Sequence, residues 1–172
     1  MTDCPAEQVS QHANSPCVVA GKETVCRAAY DPMHTKSSGG IANSFIKSAD
    51  LLAGELSVWR LARDPAFDIA ALAGVLQAGG PAENTLKQIC AATALAVRGV
   101  RVEALGDDQR VFCVLDDCAT DDDGGWHCEH AVIALETIEN VVWQIQTEPF
   151  VAAREGLTVL LKRTAVLWPL AA

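Results

Sequence analysis

The hydrophobic period of this chain changes at Gly99, and that change limits the fold more than any single motif does. Before it, Ile69, Leu72, Ala73 and Leu76 recur at the spacing of one helical face, and Leu86, Ile89, Cys90, Ala94 and Val97 do so again. After it, Val100–Leu105 and Arg110–Leu115 alternate with period two around the turn Gly106-Asp107-Asp108, the pattern of a hairpin. The first helix is expected to open at Asp64-Pro65 and to stop at Gly79-Gly80. The second is expected to run from Pro81, with Glu83 where the helix dipole favours an acid, to Gly99.

Strand patterns also occupy Thr24–Tyr30, Glu55–Leu61 and His130–Leu135, with a further one at Val141–Gln146, and Ile41–Lys47 reads as a short strand or irregular return. Phe150, Ala153, Leu157, Leu160, Leu161, Thr164 and Trp168 share a helical face that Pro169 closes. Together these predict an α+β single domain: a mostly antiparallel sheet, a central helical pair and a C-terminal helix packed mainly on one face. Residues 1–20 are polar and read as a mobile N-terminal tail, leaving 21–172 as the domain.

Half of the 172 residues are apolar, enough for a sizeable core without staples. No apolar run reaches about 18 residues and no charged segment precedes an apolar one at the start, so a soluble, cytoplasmic protein with no membrane segment is expected. Seven cysteines at irregular spacing argue for mostly reduced thiols, with Cys90 and Cys113 as small core residues. The net charge of −9 is concentrated in 101–140, where two arginines face eleven acids. Such a field repels phosphate backbones and excludes broad binding to duplex nucleic acid, while the near-neutral front half suits a small anionic ligand.

The chemistry is densest at His34-Thr35-Lys36-Ser37-Ser38-Gly39-Gly40, after the first strand and the turn Asp31-Pro32. Histidine offers a proton acceptor near neutral pH, lysine a fixed charge, and paired glycines backbone amides that can turn toward an anion. Lys36-Ser37 matches the end of a phosphate-binding P-loop, but the preceding glycines are missing and that motif is rejected. A different anion site, made of Lys36, Ser37, Ser38, Gly39 and Gly40 below His34, is the alternative to a merely solvated loop.

His130 opens an apolar strand and is the second candidate proton carrier. Arg27 and Arg60, lying within strand patterns, are candidate charge clamps, and Ser57 a candidate substrate contact. Alternation places Ser57, Trp59 and Leu61 on one face and Leu56, Val58 and Arg60 on the other, so Ser57 and Arg60 cannot share a pocket from a regular strand.

Other signatures fail on spacing. No hydroxyl stands two residues beyond His34 or His130, as a pair of H-x-[ST] strands would need. The deaminase pattern begun by His127-Cys128-Glu129 lacks its later cysteines, and a calcium loop would put Ala119 and His130 where carboxylates belong. Cys118, His127, Cys128 and His130 form a fallback zinc set with unusual spacing, and a Cys118–Cys128 disulfide is its oxidised rival. No metal and no cofactor are expected. The sequence thus points to a small enzyme of transferase or hydrolase type. It would act on a small anionic, nucleotide-like substrate, with His34 and His130 catalytic. The alternative is a non-catalytic assembly module that offers its acidic face to a partner protein.

Overall fold

The structure is a computed structural model that describes residues 4–10, 18–61, 68–80, 82–120, 124, 126–127 and 129–168, with backbone alone at 119, 120, 126, 127 and 164–168. In chain order its elements are β1 (Thr24–Asp31), α1 (Ser48–Ala53), β2 (Leu56–Leu61), α2 (Ile69–Ala78), β3 (Thr85–Thr93), α3 (Ala94–Arg98), β4 (Phe112–Asp116), β5 (Ala119–Thr120), β6 (Trp126–His127), β7 (His130–Leu135), α4 (Glu148–Thr164) and β8 (Ala165–Trp168). Short 3-10 turns at Pro5–Gln8, Asn43–Phe45 and Glu103–Leu105 fill the connections.

Six strands make one antiparallel sheet in the order β4-β7-β2-β1-β3-β8, and β5 pairs with β6 alone. This is the α+β architecture expected from the strand and helix patterns. Alternation sorts the side chains: Val25, Leu56, Val58, Cys90, Ala92, Val114, Ala131 and Ile133 face a large core closed by α1, α3 and α4. The opposite face carries a smaller core, in which Leu72, Ala73 and Leu76 of α2 cover Cys26, Ala28, Leu61, Ile89 and Ala91. Helices therefore lie mainly on one side, and the cover that α2 gives to the other thins out toward β2 and β7.

Several expectations are corrected. The second helix of the central pair is β3 instead, followed by the short α3. Apolar residues at i, i+3 and i+4 also arise in a strand buried on both faces, and β3 pairs with β1 along its whole length, with a bulge opposite Ala29 and Tyr30 that resets the alternation. The start expected at Asp64-Pro65 lies outside the described residues. Within them, α2 is capped by Asp68, whose Oδ1 accepts from the amides of Ala70 and Ala71 at 2.9 Å each.

Val100–Leu105 is not a strand, and β4 pairs with β7 across five residues, because that pairing buries both apolar runs. Val141–Gln146 is irregular, with Val142 and Ile145 exposed. The C-terminal helix ends at Thr164, after which β8 joins β3 at the sheet edge.

Cys4–Gln8, expected within a mobile tail, is fastened to the body. Cys4 is disulfide-bonded to Cys113, with Cα atoms 6.2 Å apart, and Glu7 is buried against Arg98 and Arg110. Cys118 is disulfide-bonded as well, so the expectation of mostly reduced thiols fails here. Cys26 and Cys90 are free and buried, and burial pushes the Cys26 thiol up to about 12. Among the described residues no helix is long and apolar enough to cross a membrane.

Candidate functional site

The site begins where two strands separate. β1 and β2 are paired from Thr24↔Leu61 to Cys26↔Trp59, and beyond that the Arg27 side chain takes the place of a backbone partner. Its Nη1 donates to the Ser57 carbonyl at 2.6 Å and its Nε to the Phe45 carbonyl at 3.0 Å. The guanidinium also lies over the Phe45 ring and 3.8 Å from Asp50. Burial lowers its pKa to about 10, against the opposing pull of Asp50, so it stays charged at neutral pH. A cavity of about 250 Å³ opens beside it, lined among others by Tyr30, His34, Lys47, Asp50, Ser57 and Trp59.

His34 reaches this cavity because the chain folds back after the cis Asp31–Pro32 peptide, with the His34 amide donating to the Tyr30 carbonyl at 2.7 Å. The Tyr30 amide in turn donates to His34 Nδ1 at 3.2 Å, and the ring packs edge-on against Phe45. His34 is 5% exposed and its Nε2 has no hydrogen-bond partner. Burial, with Arg27 and Lys47 nearby, lowers its pKa to about 4, so the ring is neutral.

The cavity's far wall is Tyr30, held by its hydroxyl to the Leu76 carbonyl at 2.8 Å, and the end of α2. Gly80 is required there, since a Cβ would sit 2.8 Å from the tyrosine ring and 2.9 Å from the Leu76 carbonyl oxygen.

On the opposite wall, Ser57 Oγ is 2.6 Å from Nε2 of His130, and His130 Nδ1 is 2.9 Å from the Asp117 carbonyl and 3.2 Å from its carboxylate. Both Asp117 oxygens are acceptors, so Nδ1 carries the proton, and Nε2 offers its lone pair to the Ser57 hydroxyl. The sheet sets this up: β2 and β7 pair Trp59 with His130 and Ser57 with Val132, which makes Ser57 a diagonal neighbour of His130 on one face. Asp117 follows β4 directly, and its amide donates to the His130 carbonyl at 3.3 Å. The Trp59 ring stands edge-on to His130, with centroids 5.6 Å apart.

Serine, histidine and aspartate are thus joined in the order of a nucleophile, a base and the group that orients the base. His34 lines the cavity itself, whereas His130 reaches it through Ser57.

The other sequence candidates lie elsewhere. Lys36, Ser37, Ser38, Gly39 and Gly40 form an exposed turn outside the cavity wall. The Lys36 amide donates to the Gly40 carbonyl and the Gly39 amide to the Lys36 carbonyl, so these amides close the turn and do not turn outward to an anion. Arg60 is wholly buried and paired with Glu23 through two nitrogens at 2.7 and 3.0 Å, on the face away from Ser57, as alternation requires. Of the zinc fallback set, the Cys118 sulfur is committed to a disulfide and both His130 nitrogens are engaged, while Cys128 and the His127 side chain lie outside the described residues.

Asp117, Lys47 and Asp50, by contrast, stand in no motif of the sequence. The signal for Asp117 was present: pairing the strand ending near Leu115 with the one opening at His130 places Asp117 opposite that histidine. No family model, curated protein or solved structure matches this chain.

Proposed function

We propose that the protein is a hydrolase or acyltransferase of small anionic esters in which Ser57 is the nucleophile. The observation that carries this is the 2.6 Å contact of Ser57 Oγ with His130 Nε2, backed by Asp117 on Nδ1, in the wall of a cavity with Arg27 and Lys47. Ser57 Oγ attacks the ester carbonyl while its proton passes to His130 Nε2. Collapse of the adduct expels the alcohol, which takes that proton, and leaves an acyl-serine. Water, or an acceptor hydroxyl, then attacks the acyl-serine with His130 again as base, and the serine is regenerated. Asp117 keeps the tautomer that can accept the serine proton and stabilises the imidazolium that forms. The positive side chains hold the substrate's anionic end.

The disulfide-bonded Cys4, Cys113 and Cys118 support an oxidising compartment for this chemistry, in place of the cytoplasm. The test is a fluorophosphonate, which phosphorylates activated serines. One adduct per chain, mapped to Ser57 and absent in Ser57→Ala, is expected. No adduct at Ser57 would favour the non-catalytic assembly module with its acidic face.

A further inference from the structure

Among the described residues, three buried side-chain atoms lack a hydrogen-bond partner: His34 Nε2, Arg110 Nη2 and Glu136 Oε2. The last two still face opposite charge, since Arg110 Nη2 is in ion-pair contact with Glu7, and Glu136 Oε2 is 3.9 Å from Arg110 Nε. His34 Nε2 has no such partner and belongs to a residue in the cavity wall.

Its role follows from the other side of the ring. Nδ1 receives the Tyr30 amide, so it must hold a lone pair, and the neutral imidazole then carries its proton on Nε2. A buried N–H without an acceptor is costly, and nearly all such groups in folded proteins are paired. The side chain is fixed in place by Tyr30 and Phe45, so the donor cannot swing out to solvent.

We infer that the cavity seats a carboxylate of the ligand, which accepts a hydrogen bond from His34 Nε2–H, so that His34 is a neutral anchoring donor and not a proton carrier. The charge of the lining selects the class. Arg27 and Lys47 are positive and Asp50 negative, which leaves one positive charge to balance a monoanion and too little for a phosphate dianion. Two of the Arg27 nitrogens are already occupied by the Phe45 and Ser57 carbonyls, so Arg27 supplies charge more than free donors. The inference rests on the reading of the cavity as a substrate site and names the substrate's anionic group. It does not need Ser57 to react.

The experiment uses the whole chain labelled with ¹⁵N, in both the wild type and Ser57→Ala, at pH 7. The His34 ring nitrogens are followed while butyrate or inorganic phosphate is added. Free protein is expected to show the Nε2-protonated tautomer. Butyrate should shift that N–H downfield and slow its exchange in both proteins, with phosphate at least tenfold weaker. His34→Phe should lose butyrate binding at least tenfold, while His34→Gln, which keeps an N–H donor, should lose no more than a few fold. An Nδ1-protonated ring, a His34 signal unmoved by butyrate, or a preference for phosphate overturns the inference. Because binding is read in Ser57→Ala as well, failure here is distinct from a failure of Ser57 to take up fluorophosphonate.

Discussion

The N-terminal clasp and the cavity both bury positive charge, and they treat it in opposite ways. At the N-terminal clasp, Glu7 accepts from Arg98 Nε at 2.9 and 3.1 Å, pairs with Arg110 and caps the Val114 amide of edge strand β4, while Arg98 Nη2 donates to the Val19 carbonyl at 2.7 Å. Around the cavity, Arg27 has two backbone carbonyls and a loose carboxylate at 3.8 Å, and the neighbouring His34 donor has nothing. Buried charge with matched partners holds the fold together, and its removal should be felt as lost stability. Buried polarity left open marks the place for a ligand, and its removal should be felt as lost binding.

The largest test of that contrast is Glu7→Gln, which leaves the buried Arg98 without its counter-charge and Arg110 with only Glu136 at 3.9 Å. A loss of about 3–5 kcal/mol in urea unfolding is expected, with Ser57 reactivity unchanged in the folded protein. A change below about 1 kcal/mol would place the clasp among surface ion pairs. Next is the disulfide, which closes a loop of 109 residues between Cys4 and Cys113. Cys4→Ser should cost about 2–4 kcal/mol by limiting the unfolded chain less, and also leave the cavity chemistry intact.

The third prediction crosses to the cavity and concerns pH. His34 has a folded pKa near 4 against an ordinary value near 6.5, so the unfolded chain binds the extra proton first. Above about pH 6.5 the residue has no effect on stability. Between 6.5 and 4 stability falls as pH falls, by at most roughly 3 kcal/mol, and below about 4 this contribution is constant. Unfolding measured across that window should be flatter in His34→Gln than in the wild type, and an equal slope in both would contradict the buried neutral ring. The smallest expected effect on the fold is that of Ser57→Ala, within about 1 kcal/mol, although it should abolish fluorophosphonate uptake.

The sequence made the sheet legible where alternation was strong: β1, β2 and β7 lie close to the segments expected from it. It misled at β3, because Leu86, Ile89 and Cys90 fit a helical face as well as a strand covered on both sides. Only the pairing with β1 and β8 decides between them. The clasp was hidden for another reason. Glu7 and Cys4 meet partners about a hundred positions away, and nothing local in the polar start of the chain announces them.

At the site, Arg27, His34, Ser57 and His130 were visible as residue types in strand and loop contexts, and the structure gathers them at or behind one cavity. Arg60 was separated from Ser57 by strand alternation alone. The Lys36–Gly40 turn stands out for its composition, yet its Lys36 and Gly39 amides are spent on closing it. Which residues touch was set by the β2–β7 register and by the hairpin-like approach of Asp117. Neither can be read before the strand order β4-β7-β2-β1 is known.

The most direct measurement is the rate at which Ser57 takes up fluorophosphonate in the wild type, His130→Ala and Asp117→Ala, read by intact mass at pH 7.5 with folding checked by circular dichroism. The account predicts a single adduct whose formation slows at least 100-fold without His130, and by a smaller but clear factor without Asp117. Equal rates in all three proteins would mean that the hydrogen bonds joining Ser57, His130 and Asp117 are structural and that the serine is not activated.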